Sequence, residues 1–390
     1  MPRNWSNCEL EVRVDASLSE IPPEKWDALG DPSYPFTKHC FLYGLELHDC
    51  LEPFGWHPVY FQLLFENRLL AAIPCYIKTN SYGELVFDHA WVNAYHRSGL
   101  DYYPKLVTAI PYTPATGDRF LIDRSQVEDA ADQQLVREVL CEAIQGFCSD
   151  QKMSSWHVLF ADKAVLDALE QKQVFLRSDV QFHWQNQNYK DFDAFLNELS
   201  SRKRKNIRKE RRSVIAQDLN LSMLSGDRLS EEEWQQIHDL YAGIYYRKHG
   251  TATLTASFFK HLGETMPQQV LAAVAREDKN IVAASLFFRS DTHLYGRVWG
   301  CDHYYPNLHF ECCYYQGIDY CIKHKLQIFD PGAQGEHKLS RGFLPTQTWS
   351  GHWIAHPQFR EAIVQFLNQE RAYIDGYRED LLEHSPYRRN

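Results

Sequence analysis

The sequence predicts an α/β protein built from two domains, and three observations carry that expectation. Segments with the helical apolar period alternate with segments that are apolar throughout or at every second residue. The order strand, helix, strand occurs in both halves. At 390 residues the chain is about twice a common domain, so the expected division is a first domain over residues 1–188 and a second over 189–390.

In chain order, Leu10–Val14 reads as an opening strand, and Pro22-Pro23 starts a helix carrying Trp26 and Leu29. Gly30-Asp31-Pro32 breaks it. TKHCFLYGLELHDCL is spaced as a helix through Phe41, Leu45 and Leu51, with Thr37 as its expected N-cap. HPVYFQLLF and LLAAIPCYI read as a hairpin turned by Glu66-Asn67. YTPATGDRFLI is a loop, Asp129–Cys148 an amphipathic helix, SSWHVLFAD a buried strand, Ala164–Glu170 a helix and VQFHWQNQNY an alternating strand. DFDAFLNELSSRKRKNIRKERRSVI is helical by period, as are Glu231–Tyr246 and Leu254–Leu262, the latter with Thr255 near its start. QVLAAVARE, IVAASLFFRS and THLYGRVWG read as three strands, Leu308–Lys325 as a helix and LQIFDPG as a strand. A faint repeat joins the halves: LAAIPCYIKTNSYG (Leu70–Gly83) aligns with VAASLFFRSDTHLYG (Val282–Gly296).

A net charge of −10 argues against a protein that coats nucleic acid through its overall field, leaving local basic patches as the only such route. The ten cysteines include no C-x-x-C pair, and the first ten residues have no apolar signal core. No window approaches 18 consecutive apolar residues, so no transmembrane segment is expected and the expected location is cytoplasmic. Metal-ligand spacing is missing as well: HFECC has no second ligand pair, and no metal is expected.

Three stretches carry chemistry. In DPGAQGEHKLSRGF, Asp330-Pro331-Gly332 suits a type II turn at the carboxyl end of a strand, where ligands of open α/β sheets bind. Gly332, Gln334, Gly335 and Glu336 line the turn, Lys338 and Arg341 supply cations, and His337 can move a proton. On the helix NLHFECCYYQGIDY, Glu311 shares the apolar stripe of Tyr315, Ile318 and Ile322, where a carboxylate is either paired or raised in pKa toward the range of a general base. His309 precedes it by two positions. In SRKRKNIRKERR, Arg204, Arg208 and Arg212 belong to a cationic girdle suited to phosphates or tRNA backbone. A weaker place is YTPATGDRF, whose Thr116, Gly117 and Arg119 precede a helix, although the phosphate-loop spacing is missing. VFDHAWVNAYHRSGLDYYPK is rich in His and aromatic residues, as a pocket wall or a core would be.

Taken together, SYGELVFDHAW, PYTPATGDRFL, SSRKRKNIRKERR, LYGRVWGCD, HFECCYYQGIDY and DPGAQGEHKLSRGF with His352-Trp353 resemble the FemAB-like predicted N-acyltransferases of the GNAT superfamily, described as peptidoglycan biosynthesis or recognition proteins. The resemblance implies two tandem GNAT-like domains of mixed sheets flanked by helices. It also implies transfer of an acyl or aminoacyl group from acyl-CoA or aminoacyl-tRNA to an amine such as a peptidoglycan precursor. Glu311, His337 and Asp330 are then the candidate catalytic groups, with Tyr295, Arg297, Trp299, His309 and Tyr315 as substrate contacts. The diphosphate loop Q/R-x-x-G-x-G/A of GNAT enzymes is missing from both halves; YYPNLHF stands in its place in the second. The alternative is a recognition module that binds a cell-wall precursor or tRNA and catalyses nothing.

Overall fold

A computed structural model describes residue 5 and residues 8–333 and 335–388. The chain divides into two compact units, Met1–Asp179 with Gln347–Gly376, and Val180–Thr346 with Tyr377–Asn390. The chain thus leaves the first unit nine residues before the 188/189 boundary expected from sequence, and returns to it near the end. What sequence periodicity missed is the reason for that return: the strand β13 (Leu344–Ile354) and the helix α12 (Pro357–Glu383).

The sheet of the first unit is built from β1 (Glu11–Asp15), β2 (Trp56–Phe65), β3 (Arg68–Lys78), β4 (Lys105–Thr108), β6 (Ser155–Leu159) and β13, in that order, with the short β5 (Leu121–Ile122) on β3. Strands β1 to β4 are antiparallel, whereas β4 and β6 are parallel. A parallel pair needs a crossover, and α4 (Ala130–Asp150) supplies it. Glu66 and Asn67 both have positive φ, 49° and 60°, the conformation that matches a two-residue turn to the twist of a hairpin. Smaller helices complete the unit: α1 (Pro23–Trp26), α2 (His39–Leu47), α3 (His89–Arg97) and α5 (Lys163–Asp167). Thr37 is not the N-cap of α2. Lys38 holds that position without a side-chain bond, and Asp27 Oδ1 accepts from the His39 amide at 2.8 Å instead. The His- and aromatic-rich stretch forms α3 and β4, and its Trp91, Tyr95 and Tyr102 pack in a core cluster with Ile354, Ile363 and Leu367.

The second unit repeats the scheme. Its sheet order is β7 (Phe175–Gln185), β12 (Ile328–Asp330), β11 (His293–Cys301), β10 (Asn280–Arg289), β9 (Val270–Glu277) and β8 (Asn220–Ser225). Strands β8 to β11 are antiparallel and β11 is parallel to β12. The crossover here is α10 (Leu308–Phe310), a π-helical turn (Glu311–Tyr315) and α11 (Gln316–His324). The single helix expected over residues 191–215 is two, α6 (Phe192–Glu198) and α7 (Ser201–Ile215), because Asp191 caps the first and the chain is extended at Leu199–Ser200. Helix α8 (Glu231–Tyr246) starts with a capping box between Ser230 and Glu233, and α9 (Ala256–Thr265) is capped by Thr255.

Each sheet is therefore an antiparallel meander followed by one right-sized crossover to a parallel strand, as the faint repeat suggests. The correspondence holds for β3 and β10 but stops before Tyr-Gly. Tyr82-Gly83 lie in a loop, while Tyr295-Gly296 lie inside β11. In each unit the strand beside the parallel pair comes from the far part of the sequence: β13 lies antiparallel to β6, and β7 antiparallel to β12.

Candidate active site in the second unit

The site begins with an irregularity in β11. Along the β10–β11 ladder Phe287 faces Gly296 and Leu286 faces Val298, so Arg297 is an extra residue opposite no partner. Such a bulge shifts the in-out alternation by one. Leu294 and Gly296 before it therefore share a face with Trp299 and Cys301 after it, while Val298 and Gly300 turn the other way. Gly300 backs onto α8 so closely that a Cβ there would sit 2.4 Å from the carbonyl carbon of Leu240. On the opposite face Trp299 meets His309 of α10 edge-on, ring centroids 5.2 Å apart.

Below the bulge a cavity of about 240 Å³ is lined by Trp299, Cys301, His303, Tyr304, Tyr305, Asn307, Leu308, His309 and Phe310. It occupies the place of the expected YYPNLHF loop. Its walls are mostly aromatic, and a few polar groups convergent on an apolar hollow are the usual composition of a ligand site. Burial, assisted by the nearby His337, Arg341 and Lys338, lowers His309 to about 4, so its imidazole is neutral at physiological pH. His337, 6.2 Å from His309 between ring centroids, hydrogen-bonds through Nε2 with the Tyr314 hydroxyl at 2.8 Å and is lowered by burial and the same cations.

The DPGAQGEHKLSR loop is laced from within. Arg297, re-aimed by the bulge, donates to Asp330 at 2.8 Å, and Asp330 Oδ1 accepts from the Gly332 amide at 2.8 Å. Burial pushes the Asp330 carboxyl up, but Arg297, His183 and the Gly332 amide outweigh it and hold it at about 2. Gly332 has φ 91°, as position three of the expected type II turn requires. Lys338 is buried, with Nζ donating to the carbonyls of Gly332 at 2.6 Å and Ala333 at 3.2 Å; burial pushes it down to about 8. Gly335 has φ 110° and lies against the His337 ring, and Glu336 accepts from Tyr377 at 2.7 Å. Gln334 lies outside the described residues.

Glu311 is buried, as its place on the apolar stripe suggests, and it is paired. Arg211 of α7 reaches Oε2 and Oε1 at 3.2 and 2.9 Å, and Gln316 Nε2 donates to Oε1 at 2.8 Å. Arg211 also holds Asp319 at 2.8 Å. The neighbouring Glu210 accepts from Arg341 at 2.8 and 3.2 Å and from the Tyr315 hydroxyl, while Arg341 lies over the Phe310 ring at 3.4 Å. The sequence carries a signal for this: Ile207, Glu210, Arg211 and Val214 fall on one face of α7 at spacings of three and four, so the girdle turns one acid and one base inward with its apolar anchors. Arg208 and Arg212 remain exposed, Arg208 with Asp193 at 2.8 Å, and Arg204 is half-buried near Asn197. Tyr295 is buried in β11 beside Arg297, whose guanidinium lies 5.4 Å from its ring centroid.

Residues 17–389 match the FemAB-like family, described as peptidoglycan biosynthesis/recognition. The chain belongs to the FemAB-like family. No curated protein sequence matches it. Among solved structures, L-PGS from Bacillus licheniformis aligns with a TM-score of 0.50 at 10% identity, covering 89% of this chain and 97% of that one. The structure of FemX aligns at 0.49 and 10% identity, covering 82% and 93%. A tandem GNAT protein from the clavulanic acid biosynthesis pathway aligns at 0.43 and 9% identity, covering 90% and 99%. At 10% identity, the likeness to L-PGS is one of fold.

The remaining expected residues of this FemAB-like chain, Thr116, Gly117 and Arg119, lie in the first unit. Arg119 is buried and donates to the carbonyls of Leu159 at 2.9 Å, Ala115 at 2.7 Å, and Gly117 and Asp118 at 3.2 Å. That guanidinium staples the loop to β6. Gly117 packs under Tyr34, where a Cβ would meet Cζ at 2.5 Å, so its glycine answers a packing demand. Among the described residues no helix is long and apolar enough to cross a membrane, and no cluster of three or more His, Cys, Asp or Glu has metal-site geometry.

Proposed function

We propose that this FemAB-like chain is an N-acyltransferase that moves an acyl or aminoacyl group from a CoA thioester or aminoacyl-tRNA to an amine, such as that of a peptidoglycan precursor. The observation that carries the reading is the neutral imidazole of His309 in the wall of the aromatic cavity, beside the β11 bulge. An amine attacking a thioester or ester must lose a proton, and the imidazole in the wall, unprotonated though a weaker base than a free histidine, is the group placed to accept it; the carbonyl–nitrogen bond forms as the carbonyl–sulfur or carbonyl–oxygen bond breaks. His337 and Tyr314 pack behind His309, their ring centroids 6.2 and 5.4 Å from its own. Glu311, held by Arg211 through two bonds, and Asp330, held by Arg297 through one, serve to fix the helix and the loop beside the cavity. The exposed face of α7, with Arg202, Lys205, Arg208, Lys209 and Arg212, is the surface for a polyanionic donor.

A second reading is favoured by the engagement of Arg211, Arg297, Lys338 and Arg341 with partners inside the unit: a module that recognises its ligand without chemistry. Assays of acyl transfer from acetyl-CoA and from charged tRNA to an amine acceptor separate the two. Transfer with either donor supports the enzyme; binding without transfer supports recognition. If the donor is tRNA, transfer weakens steeply with salt, and neutralising Lys205, Lys209 and Arg212 flattens that slope.

A further inference from the structure

Among the described residues the imidazole of His309 has no hydrogen-bond partner. It is held by rings alone. Trp299 meets it edge-on at 5.2 Å between centroids, Phe310 lies at 5.5 Å, Tyr314 meets it edge-on at 5.4 Å and His337 lies at 6.2 Å. Tyr314 is five positions further along the chain, one more than the α-helical spacing that brings side chains together, and the π-helical turn Glu311–Tyr315 supplies the extra residue. Packing of this kind confines the ring without bonding either nitrogen, so the direction in which the imidazole faces depends on the backbone that carries it.

That backbone starts at Asn307, which immediately precedes α10 and has φ 64°, in the left-handed region that asparagine enters more readily than most residues. Its carbonyl accepts from the Glu311 amide at 3.1 Å, and its Nδ2 donates to Ser213 Oγ of α7 at 2.7 Å. Ser213 Oγ in turn donates to the Glu210 carbonyl at 2.8 Å, so towards Asn307 the hydroxyl is an acceptor. One turn further on, Gln217 Nε2 donates to the carbonyls of Ser213 at 2.7 Å and Pro306 at 3.0 Å. Both residues ahead of α10 are thus tied to the C-terminal end of α7, and α7 is itself fixed through Arg211 to Glu311 and through Glu210 to Arg341. Asn307 and His309 lie in the wall of the same cavity.

We infer that Asn307 is a positioning residue: its bond to Ser213 sets the first turn of α10 and with it the direction in which His309 faces the cavity. The catalytic consequence rests on the reading of His309 as the proton acceptor; the positioning itself does not. A misplacement of about 1 Å at a reacting group costs up to about a hundredfold in rate, so a clamp two residues from the imidazole acts on turnover more than on the binding of substrate.

The test uses the full chain in two variants: Asn307→Gly, which keeps the left-handed turn and loses the bond, and Ser213→Ala, which loses the acceptor. Nitrogen NMR of histidine-labelled protein, with the His309 signal identified by its loss in His309→Gln, follows the titration of the imidazole. Steady-state rates of transfer to an amine, from acetyl-CoA and from charged tRNA, give kcat and KM. Released from the clamp, the turn admits water to a ring that burial holds below the ordinary histidine value. Both variants are expected to titrate His309 at least about one pH unit above wild type, and to lower kcat about 10- to 100-fold while KM changes less than about threefold. An unchanged midpoint in either folded variant overturns the proposal, whether or not transfer is detected, and so does a raised midpoint with an unchanged kcat. If the wild type transfers from neither donor, the transfer reading falls, and the midpoint alone decides for or against the clamp.

Discussion

Arg211 on α7 grips Glu311 through both edges of its guanidinium, at 3.2 and 2.9 Å, with the Glu311 side chain only 4% exposed. Removing one partner of such a pair strands a buried charge. Arg211→Ala is therefore expected to destabilise the protein by about 3–5 kcal/mol in urea unfolding, and the double variant Arg211→Ala/Glu311→Gln to recover part of the loss. A cost below about 1 kcal/mol for the single variant would show that the contact between Arg211 and Glu311 contributes little to the fold.

Both Glu311 oxygens are engaged by Arg211, one of them also by Gln316, and the carboxylate does not line the cavity. Glu311→Gln is expected to keep the transfer rate within about tenfold of wild type, whereas loss of a positioned base costs about 10²–10⁴-fold. Steady-state kinetics on folded protein decides between them.

The pH profile follows from His309. A base lowered to about 4 stays unprotonated through the acidic range where an ordinary histidine has already charged. The acid limb of kcat/KM is expected near pH 4, not near 6.5; a limb at the ordinary value would assign the proton to another group.

Asp330 links stability to pH in the other direction. Its folded pKa of about 2 lies below the ordinary carboxylate value, so its contribution is complete above about pH 4 and is lost as the pH falls toward 2. The amount is on the order of 2 kcal/mol. Asp330→Asn should flatten that part of the acid unfolding curve, and an unchanged curve would contradict the pairing with Arg297.

The close approach of β11 to α8 gives a steric prediction. A methyl at Gly300 meets backbone atoms of Leu240 and Tyr241 at 2.4–2.6 Å, atoms that cannot move aside alone. Gly300→Ala is expected to cost at least the roughly 1–3 kcal/mol typical of overpacking, measured by thermal unfolding.

Much of this architecture is legible in the residues. Periodicity locates α4, α8 and the hairpin at Glu66-Asn67, and it places Glu311 on a buried stripe, because apolar spacing is a local property. What it misses is set by partners distant in the chain. Strand β13 looks irregular in sequence because its residues before and after 346/347 serve different units, and the rest of the strand alternates around Ser350 and His352, polar residues buried by their own network. The bulge at Arg297 leaves no mark in the sequence, since only the register against Leu286 and Phe287 defines it. The inward turn of Glu210 and Arg211 was hidden by the charge run that surrounds them. Lys338 and Arg341 read as free cations, but the loop folds back and uses both to hold itself.

The role of His309 is decided by the single-turnover rate of acyl or aminoacyl transfer to an amine, compared between wild type and His309→Gln with the fold of both checked by circular dichroism. Transfer is expected from the wild type, at a rate about 10²–10⁴-fold above that of the variant. Equal rates, or no transfer from either acetyl-CoA or charged tRNA, would contradict it.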